Sequence, residues 1–363
     1  MSNTVYNSLK LELNKGKKAV VVTFIDDTNS MRKLLHNKII ITEEQVLDSK
    51  SIYDLDEMTF NKVQFAFNTG NLQFLRSSNG ENILIEPYFP QPRLIVLGGG
   101  NIAKPLVEFG YKVGLSVTIV DDRPKFANKE RFPNAENVIC ESFNNCFTQL
   151  NLNDYSFIVI VTREHCNDLD CLKHLLKYNT AYIGMIGSNY SVNSIKKQLL
   201  DEGYSEELIN KINAPVGLKI GAITPEEIAI SIIAQIIRHR RLEMKLSDNN
   251  ADSILINWPE IDNSVLEELC KNSQDLKALI TIISTKGSVP RKAGTKMLVW
   301  SYGMTMGSIG GGYAEGEIIN AAWQIIGSGS TKIHDIDMTG HIAEEEGMIC
   351  GGIMKVLIED YKG

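Results

Sequence analysis

The clearest candidate for chemistry is a glycine-dense turn followed, further along the chain, by two carboxylates. The turn has the form Gly-x-Gly-x-x-Ala, and the acids end the next apolar run. In a dinucleotide site the glycines allow a tight turn and close approach to the pyrophosphate, and an acid roughly 20 residues later binds a ribose hydroxyl. A Rossmann-like fold that no longer binds a dinucleotide is the alternative. The predicted nucleotide-binding residues are Gly98, Gly100, Asn101, Ala103, Asp121 and Asp122.

A cluster of cations and hydroxyls near the C-terminus is a second candidate. Lysine, arginine and serine side chains are interspersed with glycine along Lys286–Lys296, which we call the basic segment. Mobile glycine backbone beside cations and hydroxyls is what an anionic ligand such as a phosphate requires. A solvated basic hairpin loop is the alternative interpretation. The predicted ligand-binding residues of the segment are Ser288, Arg291, Lys292 and Lys296.

Three adjacent glycines open a predicted helix shortly after the basic segment. A helix that begins in this way exposes amide N–H groups and the positive end of its dipole to an anion. Glu315 and Glu317 follow in the first turn, where carboxylates complement the dipole, so a purely structural role is the alternative. The predicted ligand-binding residues here are Gly310, Gly311, Gly312 and Glu315.

A cysteine with glycines close by on both sides forms the last motif, Gly347–Gly352. Cys350 has little side-chain cover from Gly351 and its other neighbours, so its sulfur could reach a ligand. A reactive thiolate would need nearby cations, which the basic segment would supply if the fold brings the two together. We predict Cys350 as the catalytic residue and Gly351 as a ligand contact; a buried β-sheet thiol is the alternative.

Apolar runs that alternate with helix-period sequence must position the first of these motifs. Strands buried on both faces appear in a sequence as continuous apolar runs. The alternation of such runs with helical segments therefore predicts a doubly wound parallel sheet. His165 follows the fourth run, at the edge where such sheets place their binding crevice, and is a further ligand-binding candidate. The five runs are 93–97, 115–120, 137–140, 156–161 and 181–186.

Composition narrows the class of partner. The net charge of −7 and the isoelectric point near 5.5 argue against nucleic acid or an anionic membrane, both of which repel an acidic protein. No apolar run approaches the roughly 20 residues that span a bilayer, and no secretory signal is recognisable, so we expect a cytoplasmic protein. The six cysteines lack metal-ligand spacing, so no metal site is predicted and free thiols are expected.

The expected fold is α/β, with a Rossmann-like sheet flanked by two smaller α+β modules. The first module resembles a degenerate copy of the last: Ala19–Ile25 echoes Ala278–Ser284, and Ile83–Tyr88 echoes Val356–Tyr361. Chance similarity between two β-rich edges is the alternative. The predicted modules are residues 1–90, 91–245 and 255–363, with a linker at 247–253.

The motifs together resemble those of the XdhC/CoxI family, accessory proteins of xanthine dehydrogenase and related molybdenum hydroxylases. The Rossmann-type domain of the family is matched by Gly98–Ala103, Asp121–Pro124, Thr162–His165, Tyr182–Ser188, Ala214–Gly221 and Thr224–Ile228. The CoxI-type domain is matched by Gly287–Met297, Gly307–Glu315 and Gly347–Gly352. These stretches are distributed over most of the range 93–359 and follow one another in a fixed order.

The resemblance implies that the protein binds the molybdenum cofactor (molybdopterin), supports its sulfuration and delivers it to a xanthine dehydrogenase-like apoenzyme. It also implies that the protein contacts a cysteine desulfurase and that it forms a homodimer. The chain departs from the family in three ways: the CoxI-like module comes last, Tyr313 stands where many relatives carry cysteine, and Asn213 replaces a histidine. The first departure suggests a functional pair completed by dimerisation, and the second leaves Cys350 as the main sulfur candidate.

Two other functions are alternatives to this one. An NAD(P)-dependent oxidoreductase acting on a small metabolite would explain the first motif but leaves the glycine-rich C-terminal module without a role. A scaffold that holds hydroxylase subunits would need none of the motifs. A cofactor-insertion chaperone, rather than a catalyst, accounts for all of them, with NAD(P) or another nucleotide as the ligand of the Rossmann-like domain.

Overall fold

The computed structural model describes residues 2–25, 37–48, 55–78, 80–163, 165–246, 254–338 and 352–362. The chain divides into two compact units, one formed by residues 1–89 with 245–363 and the other by residues 90–244. The linker predicted at 247–253 and Cys350 with Gly351 lie outside the described residues. Within the described ranges, no helix combines the length and the apolar character needed to cross a bilayer.

The N-terminal module is a four-stranded antiparallel sheet with helices. The strand order is β2-β1-β4-β3, and apolar side chains of β1, β2, β4 and α3 form the core on the helix side of the sheet. The elements are α1 (Ser2–Asn14), β1 (Ala19–Ile25), β2 (Lys38–Thr42), α2 (Glu43–Leu47), α3 (Glu57–Thr69), β3 (Gln73–Arg76) and β4 (Asn82–Tyr88).

The second unit is a six-stranded parallel sheet, as predicted from the alternating apolar runs. Its strand order β7-β6-β5-β8-β9-β10 is that of a dinucleotide-binding fold, with the chain reversing direction across the sheet between β5 and β8. The elements are β5 (Arg93–Leu97), α4 (Ala103–Lys112), β6 (Ser116–Asp121), β7 (Asn137–Cys140), β8 (Ser156–Ile160), α5 (His165–Leu175), β9 (Tyr182–Met185), α6 (Asn189–Asp201), α7 (Glu206–Asn210), β10 (Ile212–Asn213) and α8 (Pro225–Arg238).

Helix α8 begins as its sequence predicts. Thr224 is the N-cap and Pro225 the first helical residue, and Thr224 and Glu227 form a reciprocal capping box. This arrangement satisfies amide groups that a helix start otherwise leaves unpaired.

The C-terminal module is a five-stranded antiparallel sheet of order β15-β14-β13-β17-β16. Helix α10 packs on one face of the sheet and closes a second apolar core. The elements, preceded by the short pair β11 (Lys245–Leu246) and β12 (Ile254–Leu255), are α9 (Asn263–Leu269), β13 (Lys277–Gly287), β14 (Lys296–Trp300), β15 (Thr305–Gly307), α10 (Gly312–Ile325), β16 (Thr331–Asp337) and β17 (Gly352–Tyr361).

The first and last modules share one topology. Strands β2-β1-β4-β3 correspond to β14-β13-β17-β16, and a helix lies between the second and third of these strands along the chain in both modules. Ala19 lies opposite Tyr88, as Lys277 lies opposite Tyr361. The strand register therefore matches Ala19 with Lys277, one residue away from the Ala278 suggested by the sequence echo. The inner faces of the two sheets share a third apolar core.

Candidate functional site

The nucleotide-type turn lies at the carboxyl end of β5 in the second unit. Gly98 has a φ of +113°, and a Cβ atom there would approach the carbonyl oxygen of Val161 to 2.5 Å. A Cβ at Gly99 would lie 2.2 Å from the carbonyl oxygen of Phe126, whereas Gly100 has open space around it. Backbone therefore packs against the first two glycines, and Gly100 with the exposed Asn101 is the open part of the turn.

The carboxylate of Asp121 forms hydrogen bonds within the protein that stabilise the turn. Its side chain is 1% exposed, and its carboxylate accepts hydrogen bonds from the Gly99 N–H at 2.7 Å and from Arg123 Nε and Nη2 at 2.8 and 2.9 Å. Burial disfavours the carboxylate, but the hydrogen bonds outweigh it and hold the pKa of Asp121 below its usual range. Both oxygens are occupied, so Asp121 has no free oxygen for a ribose hydroxyl, contrary to its place in the predicted ligand set, whereas the neighbouring Asp122 is exposed.

Two guanidinium groups that sequence reasoning missed complete this side of the turn. Arg123 lies 3.8 Å from the centre of the Phe126 ring, and Arg131 donates to the carbonyl oxygens of Gly99 at 3.0 Å and Gly100 at 3.3 Å. The motif Asp121–Pro124 includes Arg123, whereas Arg131 lies outside every motif identified in the sequence. His165 is the first residue of α5, which follows β8, and its side chain is not among the described parts of the structure.

Replacing Asp121 with asparagine should destabilise the second unit by about 1.5–3 kcal/mol, because charged hydrogen bonds at a buried site are lost. The folded pKa of Asp121 is depressed, so its contribution to stability is complete above the ordinary pKa near 4 and is lost as the pH falls through the folded value. Wild-type protein should therefore lose more stability than Asp121→Asn between pH 7 and pH 3. Denaturant unfolding at several pH values measures this, and equal acid sensitivity of the two proteins would contradict it.

The basic segment contacts the glycine turn and also Gly352, the one described residue of the cysteine motif, in the first unit. Gly310 has a φ of +134°, and a Cβ there would lie 2.2 Å from Pro290 Cγ in the basic segment. A Cβ at Gly352 would lie 2.7 Å from Val289 Cγ1 and 2.8 Å from the carbonyl oxygen of Ser288. The glycines thus allow close contact of the glycine turn (Ser308–Gly312) and the end of the cysteine motif with the basic segment.

Glu315 closes part of the glycine turn. Its Oε2 accepts from Ser308 Oγ at 2.7 Å and from the Gly311 N–H at 3.0 Å. Gly311 and Gly312 are exposed, have φ values of +77° and +65°, and have open space where a side chain would stand. An anion would find these two glycines accessible but would meet the carboxylate of Glu315 at the Gly311 amide.

The cations of the basic segment divide into two groups. Arg291 and Lys292 are exposed, and Arg291 makes a long contact of 3.8 Å with Glu260. Lys296 is 9% exposed and its ammonium lies 2.6 Å from Glu86 Oε1 and 2.8 Å from Thr281 Oγ1. Burial lowers the pKa of Lys296 although Glu86 acts in the opposite direction. Lys296 therefore has no exposed charge for a ligand, contrary to its place in the predicted ligand set. Of that set, Ser288, Arg291 and Lys292 are accessible, and Lys286 at the start of the segment is exposed as well.

Two cysteines of the second unit, Cys146 and Cys171, are buried. Burial raises the pKa of Cys146 to about 12 and raises that of Cys171 further, so neither forms a thiolate readily. No group of three or more histidine, cysteine or acidic side chains in the described ranges is placed to hold a metal ion.

Comparison with known proteins finds two family matches. Residues 94–236 match the XdhC Rossmann domain, and residues 271–337 match the XdhC and CoxI family. The chain is 30% identical over 158 residues to an uncharacterized protein, YqeB, of Escherichia coli. It is 32% identical over 160 residues to a Bacillus subtilis protein named as a probable subunit of xanthine dehydrogenase. These alignments cover 43% and 44% of this chain but only 29% and 46% of the relatives.

A solved structure described as a xanthine dehydrogenase from Bacillus halodurans covers 64% of this chain and 93% of its own, at 21% identity. Its TM-score of 0.41 is too low to inform the fold. The two family matches fall on the second unit and on the C-terminal module, where the motifs lie. The chain belongs to the XdhC/CoxI family.

Proposed function

We propose that this protein is an accessory factor that binds the molybdenum cofactor, supports its sulfuration and inserts it into a xanthine dehydrogenase-like hydroxylase. The observation that carries the proposal is the contact of the basic segment with both the glycine turn and Gly352. This contact groups exposed cations, accessible glycine backbone and Gly352, which follows Cys350 by two positions in the sequence. The similarity to the Bacillus subtilis protein, whose name refers to xanthine dehydrogenase, supports the choice of client.

Each part of the site has a distinct role in this proposal. Arg291 and Lys292 attract the phosphate of the cofactor, since guanidinium and ammonium groups bind phosphate oxygens well. The Ser288 hydroxyl and the backbone at Gly311 and Gly312 orient it. Cys350 handles the terminal sulfur, which a cysteine desulfurase supplies. The molybdenum cofactor is thus the cargo, and the chain contributes binding, orientation and delivery.

The proposal is tested with protein purified anaerobically. Wild-type protein mixed with molybdenum cofactor should retain it through gel filtration, and Arg291→Ala should retain at least tenfold less. Cys350→Ser should bind the cofactor but fail to restore activity to the apo-hydroxylase. Cys140→Ser, which changes an exposed thiol in the other unit, is the matched control and should behave as wild type. A wild-type protein that retains no cofactor would contradict the proposal.

A nucleotide is the proposed ligand of the second unit. The strand order of a dinucleotide-binding fold, with the open Gly100 after the first strand, favours this ligand. The NAD(P)-dependent oxidoreductase is the second candidate function, and turnover of NADH with a small metabolite would favour it. Binding of NAD(P) without turnover would support a nucleotide ligand in an accessory factor. Loss of that binding on Gly100→Val would locate it at the turn.

Glu315→Gln should increase the affinity of the glycine turn for anions about five- to tenfold. The amide side chain keeps an oxygen for Ser308 and Gly311 but removes the negative charge that an incoming phosphate must approach. Calorimetric titration with pyrophosphate measures the change. Glu317→Gln, which removes a charge from the same helix but pairs with His334 instead, is the control and should change the affinity less than twofold. A lower affinity in Glu315→Gln would mean that the carboxylate is needed for binding.

A further inference from the structure

The interior of the first unit holds a buried network of two lysines and two glutamates. The ammonium of Lys38 lies 2.8 Å from the carboxylate of Glu359, and that of Lys296 lies 2.6 Å from Glu86. None of the four side chains is more than 9% exposed. Charged side chains are seldom buried in this way unless they are paired. The network is therefore a specific feature of the place where the two sheets meet.

The two halves of this network are corresponding residues of the two copies. Lys38 lies opposite Thr23 in the register of its hairpin, and Lys296 lies opposite Thr281. Each lysine donates to that threonine, at 2.9 and 2.8 Å respectively.

The glutamates correspond as well. Glu86 lies opposite Val21, two residues before Thr23, and Glu359 lies opposite Leu279, two residues before Thr281. Each lysine therefore binds the threonine of its own copy and the glutamate of the other copy. Such reciprocal contacts are the property of a twofold-symmetric dimer interface.

We propose that the N-terminal module is a built-in second protomer, and that its Glu86 positions the basic segment of the C-terminal module. Lys296 is the last residue of that segment and the first of β14, so the pair with Glu86 fixes one end of the segment. Two hydrogen bonds next to this end, from Gly294 N–H to Ile282 and from Ile282 N–H to Thr295, tie the segment to β13. The assignment of a phosphate-bearing ligand rests on the proposed function, whereas the positioning role does not.

The corresponding hydrogen bond is present in the N-terminal copy. The Phe24 N–H donates to the carbonyl oxygen of Asn37 at 2.7 Å, as the Ile282 N–H donates to Thr295 at 3.0 Å. Phe24 is the residue after Thr23, and Ile282 is the residue after Thr281. Each copy thus has a hydrogen-bonded backbone N–H close to its buried lysine, and that lysine pairs with a glutamate of the other copy. The exchange rates of these two N–H groups can therefore report on the two pairs separately.

The two copies differ where the C-terminal copy would bind its ligand. The Tyr361 hydroxyl donates to Leu269 at 2.5 Å, whereas its counterpart Tyr88 has a buried hydroxyl with no partner among the described residues. Tyr88 faces a cavity of about 20 Å³ that Gly294 and Lys296 also line. The N-terminal module therefore places both Glu86 and Tyr88 beneath the basic segment, without glycine motifs of its own. We therefore expect one ligand-binding site per chain, in the C-terminal copy.

Hydrogen exchange of the full-length protein tests the proposal with two matched variants. Glu86→Gln should speed exchange at the Ile282 amide at least tenfold more than at Phe24. Glu359→Gln should do the reverse, because it releases Lys38 in the other copy. Equal acceleration at both amides, or none at either, would overturn the positioning role. Should either variant fail to fold, Glu86→Asp and Glu359→Asp retract the carboxylates while keeping their charge, and the same crossed pattern is expected.

A second measurement separates this proposal from the proposed function. Pyrophosphate affinity should fall at least fivefold in Glu86→Gln and stay within twofold of wild type in Glu359→Gln. Wild-type protein that does not bind pyrophosphate would count against the proposed ligand, and the exchange pattern would still decide the role of Glu86. Equal loss of affinity in both variants would overturn the assignment of Glu86 to this segment.

Discussion

Lys296→Glu is expected to unfold the first unit or to destabilise it by at least about 3–5 kcal/mol. The change puts a second carboxylate beside Glu86, and removing one partner of a buried pair already costs about this much because the other charge is left without compensation. Thr281 cannot offset the repulsion, since a hydroxyl supplies one hydrogen bond and no charge. Denaturant unfolding followed separately for the two units measures the effect, and the transition of the second unit should be unchanged.

Restoring opposite charges should recover much of that loss. In Lys296→Glu/Glu86→Lys the pair is reversed but present, so this double variant should be more stable than the single one by about 2 kcal/mol or more. Lys292→Glu makes the same charge change at an exposed residue of the basic segment and should stay within about 0.5 kcal/mol of wild type. A Lys296→Glu protein as stable as Lys292→Glu would mean that the ammonium is not buried in solution.

Lys296 shows why part of the site could not be read from the sequence. Lys296 stands close to Arg291 and Lys292, in sequence that has the composition of a phosphate-binding loop. The apolar run that follows, Met297–Trp300, predicts a strand but does not show that Lys296 belongs to it. Its partner Glu86 is 210 positions away along the chain. A contact of that kind follows from how two modules pair, which local patterns do not encode.

Asp121 also has partners that the sequence pattern did not predict, although one of them is close to it in the sequence. An acid at the end of the second strand was correctly placed, because the strand and the turn are local features. Its partners, however, include Arg123 two residues later, whose side chain turns back to it and covers Phe126. A sequence pattern fixes where a side chain begins and does not fix which neighbour it bonds to.

The parallel sheet was predicted well because five of its six strands fall in continuous apolar runs; the sixth, β10, has only two residues and was not predicted. The duplication was harder to align. The echo paired Ala19 with Ala278 on identity, but side chains alternate between the two faces of a strand, and a shift of one residue exchanges inner and outer faces. The structural match with Lys277 keeps Val21 and Leu279 in the core that both sheets share. Long-range pairing, and not composition, decides that register.

Gly310→Ala is expected to lower the affinity for pyrophosphate at least tenfold. The φ of +134° at this residue is unfavourable for any side chain, and the new methyl group would lie 2.2 Å from Pro290 Cγ. Pro290 belongs to the basic segment, and its rigid ring has little freedom to move aside. The variant should therefore push the basic segment away from the glycine turn, and Arg291 and Lys292 would no longer share a ligand with Gly311 and Gly312.

Gly316→Ala is the matched control for that change. Gly316 lies inside α10, six residues further along, with no atom within 4 Å of an added Cβ. Alanine in a helix interior should stabilise the protein by up to about 1 kcal/mol and leave pyrophosphate binding unchanged. Calorimetric titration of both variants, beside unfolding measurements, separates a broken site from a weakened fold. Gly310→Ala protein that binds as tightly as wild type would show that the contact between these two motifs is not needed for the ligand.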